Sequence, residues 1–416
     1  MIVAVDDSDP IAGSVSDYLA EPNAGVIEFL VVHPESRRDG LGARVREETE
    51  RTLADDACRN GQSIAWVTAE MDDPFRTARS PTDFDPFVRA LIWHRWGYRM
   101  LDFPYVQPAL SQERSPVHTL LLMTKTYAPA FSQSIRAHDV RTLLREYFRW
   151  CMRVPDPDSN SAYCAMSDYL APSDNPVAMI GLDDYTGAKC PAPLRIHEVS
   201  GVHDPEVRAA IDVYTAIFTD PTTAMPPTEF LEAFNSGGMS GERGCRYHLW
   251  SIYRPGEKSC EGMASFFTMS SAGFGGYVGL MPPLRGSDRL RYLMTRIERQ
   301  MIQDSPSPQG MYGECAGRLE RDIFMRPDIG FRELDVPYTQ PRGPRSTLAD
   351  RPRHLLYKPF GRVYRQPDIA VPDFLDSMRE IMTCVYGVDD PQSTGAYSRL
   401  EHYLAGLQTV PVKSDG

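Results

Sequence analysis

At 416 residues the chain is too long for one ordinary hydrophobic core, so two domains with appendages are expected. Its apolar and charged fractions, 42% and 24%, are those of a globular protein, and no apolar run nears the ~20 residues that span a bilayer, so no membrane partner is expected. A net charge of −12 disfavours nucleic acid as a partner and suits a cationic amine. The N-terminal MIVAVDDSDP lacks the basic region of a targeting signal, which makes the cytoplasm the expected location. Cys58, Cys151, Cys164, Cys190, Cys245, Cys260, Cys315 and Cys384 show no CxxC or Cys/His spacing, so neither a disulfide framework nor a metal site is expected.

Met1 to Val5 reads as a short strand, Ile11 to Leu19 as an alternating one, and Gly25 to Val32 as a more continuous central strand. Pro34 and two glycines follow, and from Leu41 the residues Val45, Thr49, Leu53 and Ala57 recur every four positions as one helix face, stopped at Gly61. Ile64 to Val67 begins the next strand. Asp72 to Pro86 reads as a polar loop, Phe87 to Trp96 as a helix ended by Gly97, and Tyr98 to Val106 and Val117 to Thr124 as two last strands.

The chain then repeats itself. GYRMLDFPYVQP at 97 to 108 recurs as GFRELDVPYTQP at 330 to 341, an offset of 233. Arg145, Glu146, Pro157 and Tyr169-Leu170-Ala171 return at an offset of 234 as Arg379, Glu380, Pro391 and Tyr403-Leu404-Ala405. Each copy therefore includes a helical segment, with apolar faces Val140, Leu143, Leu144, Tyr147, Phe148 and Phe374, Met378, Ile381, Met382, Val385. Residues 172 to 194, with four prolines, read as a linker. The second copy opens with a strand at Leu194 to Val199 and helices at Glu206 to Phe218 and Thr228 to Phe234, for which the first copy has no room before Met1.

A strand, then Val32-x-Pro34-x-x-Arg37-Arg38-x-Gly40-Leu41-Gly42, then an amphipathic helix, resembles motif A of the GNAT family of acyl-CoA N-acyltransferases. Arg37, Gly40 and Gly42 fill that family's Gln/Arg-x-x-Gly-x-Gly/Ala signature. The resemblance implies an α/β (mixed α+β) class with two tandem GNAT folds, each a mixed, mostly antiparallel sheet flanked by helices and followed by a helical segment. The expected boundaries are 1–130 for an N-terminal domain with the acyl-CoA site and 131–193 for a helical segment and linker. They continue with 194–362 for a non-catalytic C-terminal domain and 363–416 for a last helical segment. It also implies that backbone N–H groups of Arg38, Asp39, Gly40, Leu41, Gly42 and Ala43 surround a diphosphate at the helix N-terminus, with added charge from Arg37 and Arg38. Leu30, Val31 and Val32 would hydrogen-bond the pantetheine arm of acetyl-CoA or another acyl-CoA.

Glu28 interrupts the apolar strand where GNAT enzymes often carry a glutamate that deprotonates the amine through water; orienting substrate or pairing with an arginine is the alternative. Strict alternation would put it on the face of Leu30, opposite Phe29. Where the family's tyrosine acid is expected the chain has Trp93, leaving Tyr105, His94 or solvent to protonate the leaving thiolate. Tyr105 and Gln107 recur as Tyr338 and Gln340, which favours packing, and Glu70 is matched by Glu314. Aligning Pro34 with Pro282 sets Arg285 at Arg37, Asp288 at Gly40, Leu290 at Gly42 and Gly276 at Glu28. The second copy thus lacks both cradle and base. The leading expectation is direct acyl transfer to an amine of a small molecule, natural product or peptide, with a homo-oligomer left open. The alternatives are a non-catalytic acyl-CoA-binding regulator and a GNAT-fold enzyme of other thioester chemistry.

Overall fold

The apolar runs become the strands of two mixed sheets, one in each half of the chain. The computed structural model describes residues 1–7, 9–37, 40–77, 84–111, 113–129, 133–171, 176–190, 194–220, 224–237, 244–305, 310–341, 352–361 and 368–413. Two compact units result, Met1–Ala188 and Lys189–Gly416.

Unit 1 runs β1 (Ile2–Asp6), β2 (Asp9–Leu19), β3 (Ala24–Val32), α1 (Leu41–Arg59), β4 (Trp66–Asp72), α2 (Pro86–Arg95), β5 (Arg99–Leu101), β6 (Leu120–Thr126), β7 (Ser134–Ile135), α3 (Ala137–Trp150), α4 (Ser161–Leu170), β8 (Val177–Gly181) and α5 (Leu182–Tyr185). Its sheet order is β1-β2-β3-β4-β6-β5-β8-β7. Every neighbouring pair is antiparallel except β3 and β4, which are parallel and joined through α1. Helix α1 covers one face, where Ser14 Oγ meets Thr49 Oγ1 at 2.6 Å and Leu53 lies over Gly25. On the other face, Val140, Leu143, Leu144, Tyr147 and Phe148 of α3 pack into one core with Ala24, Val26 and Trp66.

Unit 2 runs β9 (Arg195–Glu198), α6 (Glu206–Ile217), α7 (Thr228–Gly237), β10 (Arg246–Tyr253), β11 (Gly262–Thr268), β12 (Gly273–Leu280), α8 (Ser287–Asp304), β13 (Gly310–Cys315), α9 (Arg318–Phe324), β14 (Arg332–Glu333), β15 (His354–Pro359), α10 (Val371–Cys384) and α11 (Gly395–Leu404). The sheet order is β14-β15-β13-β12-β11-β10-β9, again with one parallel pair, β12 and β13, linked through the long helix α8. Phe374, Met378, Ile381 and Met382 of α10 share a core with Tyr214 and Phe230 of α6 and α7. The two tandem mixed α/β folds expected from the sequence are therefore present.

The duplication extends to single hydrogen bonds. Arg37 Nε donates to the Val32 carbonyl at 3.3 Å, and Arg285 Nε donates to the Leu280 carbonyl at 3.2 Å. Gly97 and Gly330, which open the repeated twelve-residue stretch, both take left-handed conformations, with φ 88° and 93°.

Two expectations need correction. The strand read at Tyr98 to Val106 stops at Leu101, because Phe103 and Tyr105 turn their N–H groups back onto Leu101 and Phe103 around Pro104, which has no N–H to continue a ladder. Within the stretch read as a linker, Val177–Gly181 is strand β8, paired with β5. Beyond it Tyr185 donates to Asp73 Oδ1 at 2.8 Å. Prolines around this stretch masked a strand too short to show a period.

Candidate active site

The parallel ladder between β3 and β4 pairs Ala24 to Ile27 with Trp66 to Ala69 and ends there. Strand β3 continues to Val32 against β2, and β4 continues to Asp72 against β6, so beyond Ile27 the two strands share no ladder pairs and leave a cleft. Leu30, Val31 and Val32 lie on the β3 side of that opening. At its end Gly40 caps α1 in the left-handed region (φ 71°, ψ 8°) with no side-chain cap, and the first amide bonded within the helix is that of Arg44, to the Gly40 carbonyl at 3.1 Å. The N–H groups of Leu41, Gly42 and Ala43 are the first-turn donors that precede it, the usual setting for an anion. Arg38 and Asp39 lie outside the described residues. Arg37 is exposed and anchors the turn through Val32. Since Arg285 makes the same bond in unit 2, this contact belongs to the turn rather than to a ligand.

Glu28 sits at a β-bulge. Val15 pairs with Phe29 and Ser16 with Ile27, so Glu28 is the extra residue. The bulge overturns the facing expected from alternation. Leu30 lies opposite Ser14, on the α1 face, whereas the Glu28 carboxylate lies within 4.8 Å of Asp17 and Cys151, on the α3 side. Burial, and then hydrogen bonding and repulsion from Asp17, raise the Glu28 carboxyl to about 7, against the pull of Arg153. A base with that value is half ionised near neutrality. The Cys151 thiol, 3.8 Å from Asp17 Oδ2, is pushed up by burial and by the same carboxylates, which keeps it protonated and unsuited to act as a nucleophile.

Tyr105 is buried, and its hydroxyl donates to Glu70 Oε1. Gln107 Nε2 donates to Glu70 Oε2 at 2.6 Å, and Tyr147 of α3 also bonds this carboxylate. Burial pushes Glu70 up and the three donors pull it down, while burial and the Glu70 charge hold the Tyr105 phenol well above its ordinary value. Tyr105→Phe is therefore expected to cost about 1–3 kcal/mol of stability, through the donor withdrawn from a buried carboxylate, as read from the urea midpoint. Trp93 is buried edge-on against Trp96 and Tyr98, at 5.1 and 4.7 Å between ring centroids. His94 Nδ1 faces Asp183 at 3.4 Å.

Sequence reasoning missed Asp17, Cys151 and Arg153 as neighbours of Glu28. Asp17 had no signal beyond being an acid in an edge-side strand, and Cys151 and Arg153 arrive from the end of α3. Unit 2 shows what else differs. There the bulge residue is Gly276, the position aligned with Glu28, and a Cβ on it would lie 2.7 Å from Ser265 Oγ. Helix α6 covers the neighbouring positions, with Tyr214 and Phe218 on Tyr277 at 4.9 and 5.0 Å. The counterparts of Tyr277 and Gly279 in unit 1, Phe29 and Val31, are 63% and 61% exposed.

No protein-family model and no curated protein matches the chain. Among solved structures it is similar to the PaiA N-acetyltransferase of Thermoplasma acidophilum in complex with coenzyme A, at 17% identity and a TM-score of 0.20 over 30% of this chain and 58% of that one. It is also similar to the ribosomal-protein-S18-alanine N-acetyltransferase of Escherichia coli, at 12% identity and a TM-score of 0.29 over 41% of this chain and 95% of that one. A third is a putative acetyltransferase of the GNAT family from Desulfovibrio desulfuricans, at 12% identity and a TM-score of 0.29 over 40% of this chain and 99% of that one. In each unit of this chain the sheet is mixed and mostly antiparallel, as the resemblance of its sequence implies, and its one parallel strand pair is joined through a long helix.

Proposed function

We propose that the chain is an acyl-CoA-dependent N-acyltransferase that works through unit 1. The carrying observation is the succession along one strand and its following turn of the ladder's end at Ile27, a half-buried carboxyl raised to about 7 at Glu28 and an uncapped helix N-terminus at Gly40. The diphosphate of acetyl-CoA or another acyl-CoA would sit at Leu41, Gly42 and Ala43. Its pantetheine arm would take the β3 edge at Leu30 to Val32. The carboxyls of Asp17 and Glu28 together favour a cationic acceptor, R–NH3⁺, over a neutral one.

Glu28 accepts one proton from the ammonium, directly or through water, and the freed amine attacks the thioester carbonyl. As the C–S bond breaks, the second nitrogen proton neutralises the departing thiolate through solvent, giving amide, free CoA thiol and one released proton. Tyr105, committed to Glu70, supports the floor of the cleft. Nothing in this sequence of steps uses a metal or an acylated side chain. The exposed Phe29 and Val31 leave room for a bulky acceptor such as a peptide or a natural-product amine. Gly276 at the bulge and Asp288 at the cradle make unit 2 the non-catalytic half.

Calorimetry with acetyl-CoA and longer acyl-CoAs tests the reading. One saturable site per chain is expected, followed by CoA release in the presence of an amine panel. Absence of binding to every acyl-CoA would overturn it.

A further inference from the structure

His248 is wholly buried in β10, its ring stacked on Phe266 of β11 at 4.5 Å between centroids. A carboxylate oxygen lies against each ring nitrogen. Glu198 of β9 places Oε1 3.0 Å from Nδ1, and Asp304, the last residue of α8, places Oδ2 2.8 Å from Nε2. A neutral imidazole has one N–H and one lone pair, and a carboxylate only accepts, so the neutral ring would turn its lone pair onto one of these oxygens. The imidazolium presents an N–H to both.

The neighbouring groups complete the balance of charge. Arg246, at the start of β10, donates Nη1 to Asp304 Oδ1 at 2.8 Å, and Gln300 of α8 donates to the same oxygen at 3.1 Å. Thr268 of β11 donates to Asp304 Oδ2 at 3.3 Å, and Trp250 of β10 donates to Glu198 Oε2. Two cations thus face two carboxylates. Loss of the imidazole proton leaves Arg246 alone against both and sets a lone pair against a buried anion, which is costly.

The network joins elements that are far apart in sequence. β9 is an edge strand, and the 18-residue helix that Asp304 ends lines a cavity of about 490 Å3 through Leu290, Met294 and Ile297; Phe266 lines it too. Unit 1 has no such tie at the matching place. Asp56, which the alignment of Pro34 with Pro282 sets at Asp304, pairs with Arg59 of its own helix.

We propose that Glu198, His248 and Asp304 form a pH-sensitive latch, closed while the imidazole is protonated, that fastens the end of α8 to the edge of the sheet and so steadies one wall of the cavity. It is independent of whether unit 1 acylates amines. Burial opposes the imidazole charge, but pairing with Asp304 and Glu198 outweighs it and raises the group above its ordinary 6.5. The contribution of His248 to stability is then full below 6.5 and is lost as pH rises through the raised value. Burial also pushes Asp304 up, yet pairing with His248 and Arg246 holds it below its ordinary 3.8, so its contribution is full above 3.8 and is lost in stronger acid. The latch is tightest between these two limits.

The test uses the full chain, with histidine ring nitrogens followed by NMR and backbone amides by hydrogen exchange from about pH 6 to about pH 10. His248, identified by the signal missing from His248→Gln, should carry a proton on each ring nitrogen at the acid end and lose one with a midpoint above 6.5. Over the same interval the amides of β9 and of the last turn of α8 should lose at least about tenfold in protection, after correction for the intrinsic rise of exchange with pH, while those of α1 in unit 1 should not. Glu198→Gln, a change at a partly exposed side chain, should move the midpoint and the loss of protection together to lower pH. If His248→Gln does not fold, the signal displaced by Glu198→Gln identifies the ring and the same comparisons decide. The proposal is overturned if the ring is neutral at about pH 6, if it titrates with no change in protection at β9 and α8, or if no ring titration moves in Glu198→Gln.

Discussion

Glu28→Gln is expected to lower kcat/KM for acyl transfer by about 10²–10⁴, the usual worth of a positioned general base, while acyl-CoA still binds as in the parent protein. The pH dependence gives the sharper readout. With Glu28 raised to about 7, the active carboxylate is scarce in acid, so the rate should climb about tenfold per pH unit below 7 and level off above it. The glutamine variant should lose this inflection. Asp17→Asn should move it to lower pH, because burial remains but the neighbouring hydrogen bond and repulsion that hold the proton on Glu28 are gone. Stability should run the opposite way. A carboxyl raised from its ordinary value of 4.5 binds more protons folded than unfolded between that value and about 7, so its contribution is full in acid and is lost as pH rises through 7. Glu28→Gln should therefore gain thermal stability relative to the parent at pH 8 and not at pH 4. A variant that loses turnover but keeps the parent's pH inflection would remove Glu28 as the base.

How far the sequence could be read depended on whether the relevant feature had a period. The strand Ala24–Val32, the four-residue spacing of Val45, Thr49, Leu53 and Ala57 and the face of α3 were all legible, since each is a long element with one side in a core. The twelve-residue repeat also announced the two-unit fold. The bulge was not legible. One extra residue at Glu28 leaves the apolar pattern of β3 unchanged while turning the carboxyl from the α1 face to Asp17 and Cys151, so an argument from alternation put it on the wrong side. β8 was hidden for a different reason. Five residues whose hydrogen-bond partner, β5, is itself only three residues long carry too little pattern to outweigh the prolines around them.

Gly40→Asp should weaken acyl-CoA binding by one to two orders of magnitude, and the comparison with Gly40→Asn shows why. The cap takes a left-handed conformation, φ 71°, and a Cβ there would meet nothing within 4 Å, so the cost of any side chain is conformational. For Asp and Asn, which visit that region most readily among non-glycine residues, it is about 1 kcal/mol and much the same for both. Only the aspartate adds a charge beside the diphosphate. A unit charge pair 4 Å apart is worth about 1 kcal/mol in bulk water and about 4 near a protein surface, so repulsion of this size falls between roughly five-fold and several hundred-fold in affinity. Gly40 lies at the exposed end of α1, which makes the penalty sensitive to salt. Calorimetry with acetyl-CoA should therefore show Gly40→Asn near the parent and Gly40→Asp well below it at 0.05 M salt, with the gap closing towards 1 M as the screening length falls to about 3 Å. Equal losses in the two variants at every salt concentration would mean that the turn needs glycine for its shape alone and that no diphosphate lies against it.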